Sequence, residues 1–416
     1  MAANTEIGEQ HKEATAHPRL RASLAVDYLF GSLGLFMLFP VMGVLLAART
    51  SGNTAIVGIG LFCYTASAGL SALLANRWLS RITYRTGMIC SVLVSALAFG
   101  LLPYVSGAWA LCGLLLLAGL GVSVHFVLSR VLIAEVVPSD IGRNNIYSLL
   151  QVMVNAAATV GPFVASFLYT GGDARLLLGL VAGAYVLAGL SILPGVPDAL
   201  KAPPTSGRWP ISTATIRSIG RTPVTLRTVV IGTLGAFVYA QFFSGFALLV
   251  AGSFASPSLR AALLAGPAMF IVLFQTAVTA LVRRKMAAGT APFAVLAYAT
   301  VVFGVAMVLL GAGLPLVVAA CGAVLVFSVA EMLFTPMMST AFAALPIESK
   351  LEAFNLRQVC WTTGEALGSL AGGSLFLALW ENGAGQAYWL VLSVLTLVVS
   401  VPMVLRTRKA TADERR

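Results

Sequence analysis

Along most of the chain, apolar residues run for about twenty positions at a time before a charged or Pro/Gly-rich break interrupts them. A run of that length crosses the hydrocarbon of a bilayer as an α-helix, which satisfies every backbone polar group internally. Twelve such spans are predicted, near 23–48, 54–75, 87–106, 108–136, 145–169, 175–195, 227–252, 259–282, 291–312, 315–341, 357–380 and 386–405. Between the sixth and seventh the pattern breaks: Pro203, Pro204, Pro210 and Pro223 stand among Ser, Thr and basic residues, with a short amphipathic helix expected near 211–221. The predicted organisation is a polar tail (1–22), a six-helix bundle (23–195), a linker (196–226), a second six-helix bundle (227–405) and a second tail (406–416). The fold class is therefore an all-α polytopic membrane protein with twelve transmembrane helices in two bundles.

The bundles echo one another. Leu149 to Leu168 reappears 207 residues later as Leu356 to Leu375. The small residues Ala157, Gly161 and Ala165 fall on Gly364, Gly368 and Gly372, and Gln151 falls on Gln358. Parallel repeats with a binding site near the midplane between them are one transporter design, so the bundles are expected to be pseudo-symmetric. Small residues every four positions make a smooth stripe along one helix face. Ala157, Gly161, Pro162, Gly364, Gly368 and Gly372 are therefore read as helix-packing residues, although in a rocking transporter such stripes are also expected to let the halves slide and reseal.

Composition supports the membrane reading. Apolar residues make up 59% of the chain and charged residues 10%, with a mean hydropathy of +0.93, which a soluble domain cannot bury. The net charge of +11 is a matter of topology: most of the 26 Lys and Arg fall in the tails and on one side of the predicted spans, whereas Arg49, Arg175 and Arg260 fall on the other. The positive-inside rule then places both termini in the cytoplasm; the expected location is a cell inner membrane, and no nucleic-acid partner is expected. Residues 1–20 lack the apolar core of a cleavable signal peptide. Five cysteines lie in predicted spans without metal-like spacing and read as small core residues. With no phosphate-binding loop, HExxH or nucleophile–base pair evident, neither a cofactor, a metal nor an enzymatic activity is expected.

Two motifs carry a family resemblance. The junction after the second span reads Asn76-Arg77-Trp78-Leu79-Ser80-Arg81-Ile82-Thr83-Tyr84-Arg85. Across about residues 22–406 the chain resembles the major facilitator superfamily, whose loop at this place has a Gly, an Asp-Arg, a second Gly and a further Arg. Arg77, Arg81 and Arg85 supply the basic gating loop, while Asn76, Ser80 and Thr83 replace the Gly, Asp and second Gly. In the fifth span, Ala157 followed by Gly161-Pro162 is similar to the antiporter motif of drug-exporting members, with Ala157 in place of its first Gly and Ala165-Ser166 in place of its trailing pair. The span-four Arg of those members would fall near Leu115 and is absent. The resemblance implies a central cavity lined by spans one, four, seven and ten, and proton-coupled alternating access.

Ionisable groups inside a span cost roughly 2.5–3.5 kcal/mol at helix centre and so should face a cavity or a partner. Asp27, His125, Arg130, Glu331 and Glu365 are the candidates, joined by Gln241. With the family's arrangement, Asp27, His125, Arg130, Gln241 and Glu331 would share one chamber. Each also has a plainer reading: Asp27 as a flank of span one paired with Arg21, His125 as a polar residue between helices, Arg130 as a snorkelling side chain, Glu365 as a hydrogen-bonding lock between the halves. Glu331, among Ala330, Met332, Leu333 and Phe334 without a local partner, is the expected proton carrier. Pro162 and Pro336 are expected to bend their helices at cavity depth. Acids outnumber Arg130 in this chamber, favouring a cationic or zwitterionic amphiphile, while Arg130 leaves room for an anionic group on the substrate. The predicted function is therefore proton-coupled export of a small organic molecule (a drug, toxin or siderophore-like metabolite) by a monomer whose partners are lipid, substrate and protons. The alternatives are nutrient or metabolite uptake by proton symport and a non-transporting membrane sensor.

Overall fold

The computed structural model describes residues 18–79, 81–137, 140–169, 174–201, 211, 213–347 and 350–413. Its regular structure is helical apart from one isolated bridge between Thr83 and Lys201. Span one is Pro18–Arg49, span two Thr54–Leu79, span three Tyr84–Leu101 with a closing turn Leu102–Tyr104, span four Ala108–Val136, span five Asp140–Leu168 and span six Arg175–Ile192. After the linker helix Thr213–Arg221 come span seven (Pro223–Gln241, a π turn Phe242–Phe246, then Ala247–Ser253), span eight Pro257–Ala287, span nine Pro292–Gly311 and span ten Leu316–Ala343. Span eleven runs Lys350–Leu370, a π turn Ala371–Leu375 and Phe376–Glu381, and span twelve is Gly385–Asp413.

Among the described residues, ten of these helices are long and apolar enough to cross a membrane. Spans two and eleven complete the twelve. Span eleven is the more polar, with Glu352, Arg357 and Glu365 along it. Several helices begin before the predicted apolar run: span one at Pro18 instead of 23, span five at Asp140 instead of 145, span eleven at Lys350 instead of 357. Intrahelical hydrogen bonding does not stop where the hydrocarbon does, so apolar patterning marks only the lipid-embedded part of each helix.

The packing repeats itself. Span one lies against five and six, two against four, and three against four and six; span seven lies against eleven, eight against ten, and nine against ten and twelve. The halves meet where two packs on eleven and, by the same symmetry, where five packs on eight. Large apolar side chains such as Leu97, Val391 and Val398 point outward, as a lipid-facing surface requires.

The small-residue stripes lie inside each half. A Cβ on Gly161 would come within 2.7 Å of the span-one backbone at Phe36. One on Gly364, Gly368 or Gly372 would collide with Thr233, Phe237 or Ser244 of span seven. Ala157 and Ala165 are buried as well. The expectation that these stripes form the sliding surface between halves is thus corrected: they seat span five on one and span eleven on seven.

Candidate functional site

A cavity of about 1160 Å³ lies between the halves, walled by spans one, four and five from one side and seven, eight, ten and eleven from the other. Phe36, Phe39 and Pro40, at helical spacing on span one, supply apolar wall, and Tyr239, Phe242 and Phe243 face them from span seven. Away from the termini the cavity is sealed. The Phe39 and Phe243 rings meet at 5.1 Å between centroids. Beyond them a Cβ on Gly43 would lie 3.1 Å from Leu248, and one on Gly373 would lie 2.9 Å from the Gly58 Cα. Pro40, Pro162, Pro267 and Pro336 all line the cavity. Each proline leaves a backbone carbonyl without its helical donor, and a cavity wall is where such a carbonyl can be hydrated.

The polar groups of the wall are few: Gln151, Asn155, Thr159, Gln275, Thr335, Ser339 and the Tyr239 hydroxyl, together with the acid and base side chains Arg130, Glu331 and Arg357. The Tyr239 hydroxyl donates to Glu331 Oε1 at 3.3 Å. Gln275 donates to the Met332 carbonyl at 3.2 Å, bracing span eight on ten. Along one face of span eleven, Arg357 lies 5.5 Å from the Trp361 ring. One turn further, Trp361 Nε1 donates to Glu365 Oε2 at 3.0 Å. Tyr239 packs on Trp361 at 5.2 Å, so two aromatic donors connect the carboxylates of spans ten and eleven.

Of the residues expected to share one chamber, only Arg130 and Glu331 line it. Asp27 and His125 are buried within the first half, Asp27 Oδ2 lying 3.0 Å from His125 Nε2. The Tyr28 hydroxyl beside them contacts Ser129 Oγ at 2.8 Å, with Arg130 nearby. Gln241 is also buried: its amide donates to the Gly368 carbonyl at 2.9 Å and its carbonyl accepts from the Tyr388 hydroxyl at 2.6 Å, tying span seven to eleven and twelve. Helix geometry explains the separation, because Asp27 and the cavity-facing Phe36 are about 180° apart around span one. Glu365 stands behind Trp361, on a helix that packs against both span seven and span two.

In the loop expected to gate, Arg81 is exposed and Arg85 pairs with Asp198 at 2.8 Å, beside a backbone bond from Tyr84 to the Leu200 carbonyl. The side chain of Arg77 lies outside the described residues. Arg357 was missed by sequence reasoning. Reading span eleven from 357 treats it as the last residue of a loop, whereas the helix begins at Lys350 and carries it into the wall. The available signal was Trp361, one turn on, the spacing at which a guanidinium meets a ring.

The Major Facilitator Superfamily profile matches residues 24–348. No curated protein matches the chain. Among solved structures, it is similar to a POT family transporter in complex with a thioalcohol conjugated peptide, at 12% identity and a TM-score of 0.74, covering 94% of this chain and 96% of that one. A peptide transporter POT in complex with sulfate is similar at 15% identity and a TM-score of 0.72, with 95% of each chain covered. The nucleoside transporter NupG is similar at 14% identity and a TM-score of 0.69, covering 93% and 99%. These likenesses establish the shared fold, and the profile match establishes the family: the chain belongs to the major facilitator superfamily and is a multi-pass membrane transporter of that type.

Proposed function

We propose that the protein is a proton-coupled secondary transporter of a small organic solute, cycling by alternating access with Glu331 as its proton carrier. The observation that carries this is Glu331 on the wall of a cavity sealed at one end, with Tyr239 as its hydrogen-bond donor. A carboxylate that gains and loses its charge inside a low-dielectric chamber changes the energy of any charged solute beside it. With the orientation expected from the positive-inside rule, the seal faces outward and the chamber is reached from the cytoplasm.

Two couplings use these residues. Export by proton antiport is the reading favoured by Gly161 and Pro162 in span five. Proton symport is favoured by the charge of the chamber, because Arg357 joins Arg130 there and outweighs Glu331. Of the two, the chamber favours symport. Either way Glu331→Gln should retain solute binding and lose the response of flux to an imposed pH gradient in proteoliposomes. Undiminished gradient-driven flux in that variant excludes Glu331 as the carrier. The sign of the wild-type response separates symport from antiport, and a protein that binds solute without flux in either direction is a sensor.

A further inference from the structure

Two arginines face one cavity from opposite halves. Arg130 comes from span four and Arg357 from span eleven, and Arg357 lies within electrostatic range of Arg130. Among the described residues, Arg357 has no carboxylate at ion-pairing distance, and its Nε has no hydrogen-bond partner. Its contact is with the face of Trp361. Like charges drawn into one low-dielectric chamber repel, and they are tolerated where an anion belongs between them. A guanidinium is the side chain whose planar fork of N–H groups matches an oxyanion.

From this we infer that the solute is an organic oxyanion with a flat apolar body: its head group binds between Arg130 and Arg357, and its body lies against Phe36, Phe39, Tyr239 and Trp361. The inference rests on the cavity being the transport site. It reverses the cationic preference read from the sequence, because Asp27 is withdrawn to His125 and Glu365 stands behind Trp361. The remaining lining carboxylate, Glu331, accepts from Tyr239 of span seven, while Gln275 of span eight, Arg357 of span eleven and Arg130 of span four line the same cavity and Glu365 accepts from Trp361 behind it. When Glu331 takes up a proton, the chamber loses its negative charge. Proton and oxyanion then favour each other's binding, which by linkage is the requirement for carrying both in one direction.

The test is equilibrium binding to the full-length protein in lipid nanodiscs, with naphthoate, naphthol and a naphthylmethyl trimethylammonium cation as probes of one shape and three charges. Naphthoate should bind about tenfold or more tighter than naphthol, the size of a hydrogen bond to a charged group, and the cation weakest. Arg357→Gln and Arg130→Gln should each erase the advantage of naphthoate over naphthol, and Arg357→Lys should restore part of it. Wild-type thermal unfolding of each variant in nanodiscs serves as the control for folding. Equal binding of the three probes, or a naphthoate advantage that survives both Gln variants, overturns the inference. Naphthoate flux in proteoliposomes is measured on the same variants. Arg-dependent binding without flux supports the oxyanion site and removes the transport reading, whereas naphthol or cation flux indifferent to both arginines overturns the oxyanion site and keeps transport.

Discussion

At the scale of single residues, the Asp27–His125 pair shows how two ionisable groups are held together where no solute reaches them. Both side chains are almost fully buried, and among the described residues the Asp27 carboxylate has no other polar partner. Removing one member of a buried pair leaves the other uncompensated and costs about 3–5 kcal/mol, whereas removing both together is often close to neutral. Thermal unfolding in detergent should therefore show Asp27→Leu and His125→Leu each strongly destabilised and the double variant recovered, and additive losses would mean that the two residues are not coupled. The face of a helix is legible in a sequence if residues are placed by angle as well as depth. Assigning the cavity by span places Asp27, His125 and Arg130 in one chamber, although His125 and Arg130 stand about 140° apart around span four. Glu331 was legible because apolar neighbours on every side left it no local partner. Arg357 was not, since hydropathy cannot distinguish the last residue of a loop from the second turn of a helix that starts in the polar interface.

At the scale of elements, the glycine stripe makes a sharp prediction. At Gly368 an added methyl collides with the Phe237 carbonyl oxygen, a backbone atom that cannot rotate away. Gly113, in span four, has no atom within 4 Å of the same position. Gly368→Ala should cost about 2 kcal/mol through overpacking, while Gly113→Ala should be neutral or slightly stabilising through helix propensity. Thermal unfolding of the two variants checks this, and equal stability would mean that span eleven does not seat closely on span seven. The stripe's spacing is plain in the sequence, but its partner is not, because a small residue every fourth position shows only that some helix approaches there. The π turns at Phe242–Phe246 and Ala371–Leu375 meet where Gly372 abuts Ser244 and Gly245. Nothing in the composition of either segment marks an extra residue in the turn, since a π turn is set by the helix it must fit.

At the scale of the whole molecule, the seal away from the termini is the feature that the proposed alternating access must break. Gly43 and Leu248 come from spans one and seven, and their approach is close enough for a disulfide between engineered cysteines. With Cys63, Cys90, Cys112, Cys321 and Cys360 replaced, a Gly43→Cys, Leu248→Cys variant should lose solute flux on oxidation and regain it on reduction, while binding from the open side persists. Flux that continues through the oxidised protein would show that this seal does not open during the cycle. Span five is seated on span one by its small residues and also packs on span eight of the other half, and span eleven does the same between seven and two. Each is therefore a stiff tooth held in one half and bearing on the other, so displacement at that contact reaches the whole half instead of bending one helix. With the proposed proton coupling, loosening the stripe should then appear as slippage: protons crossing without cargo, at an affinity that has not changed.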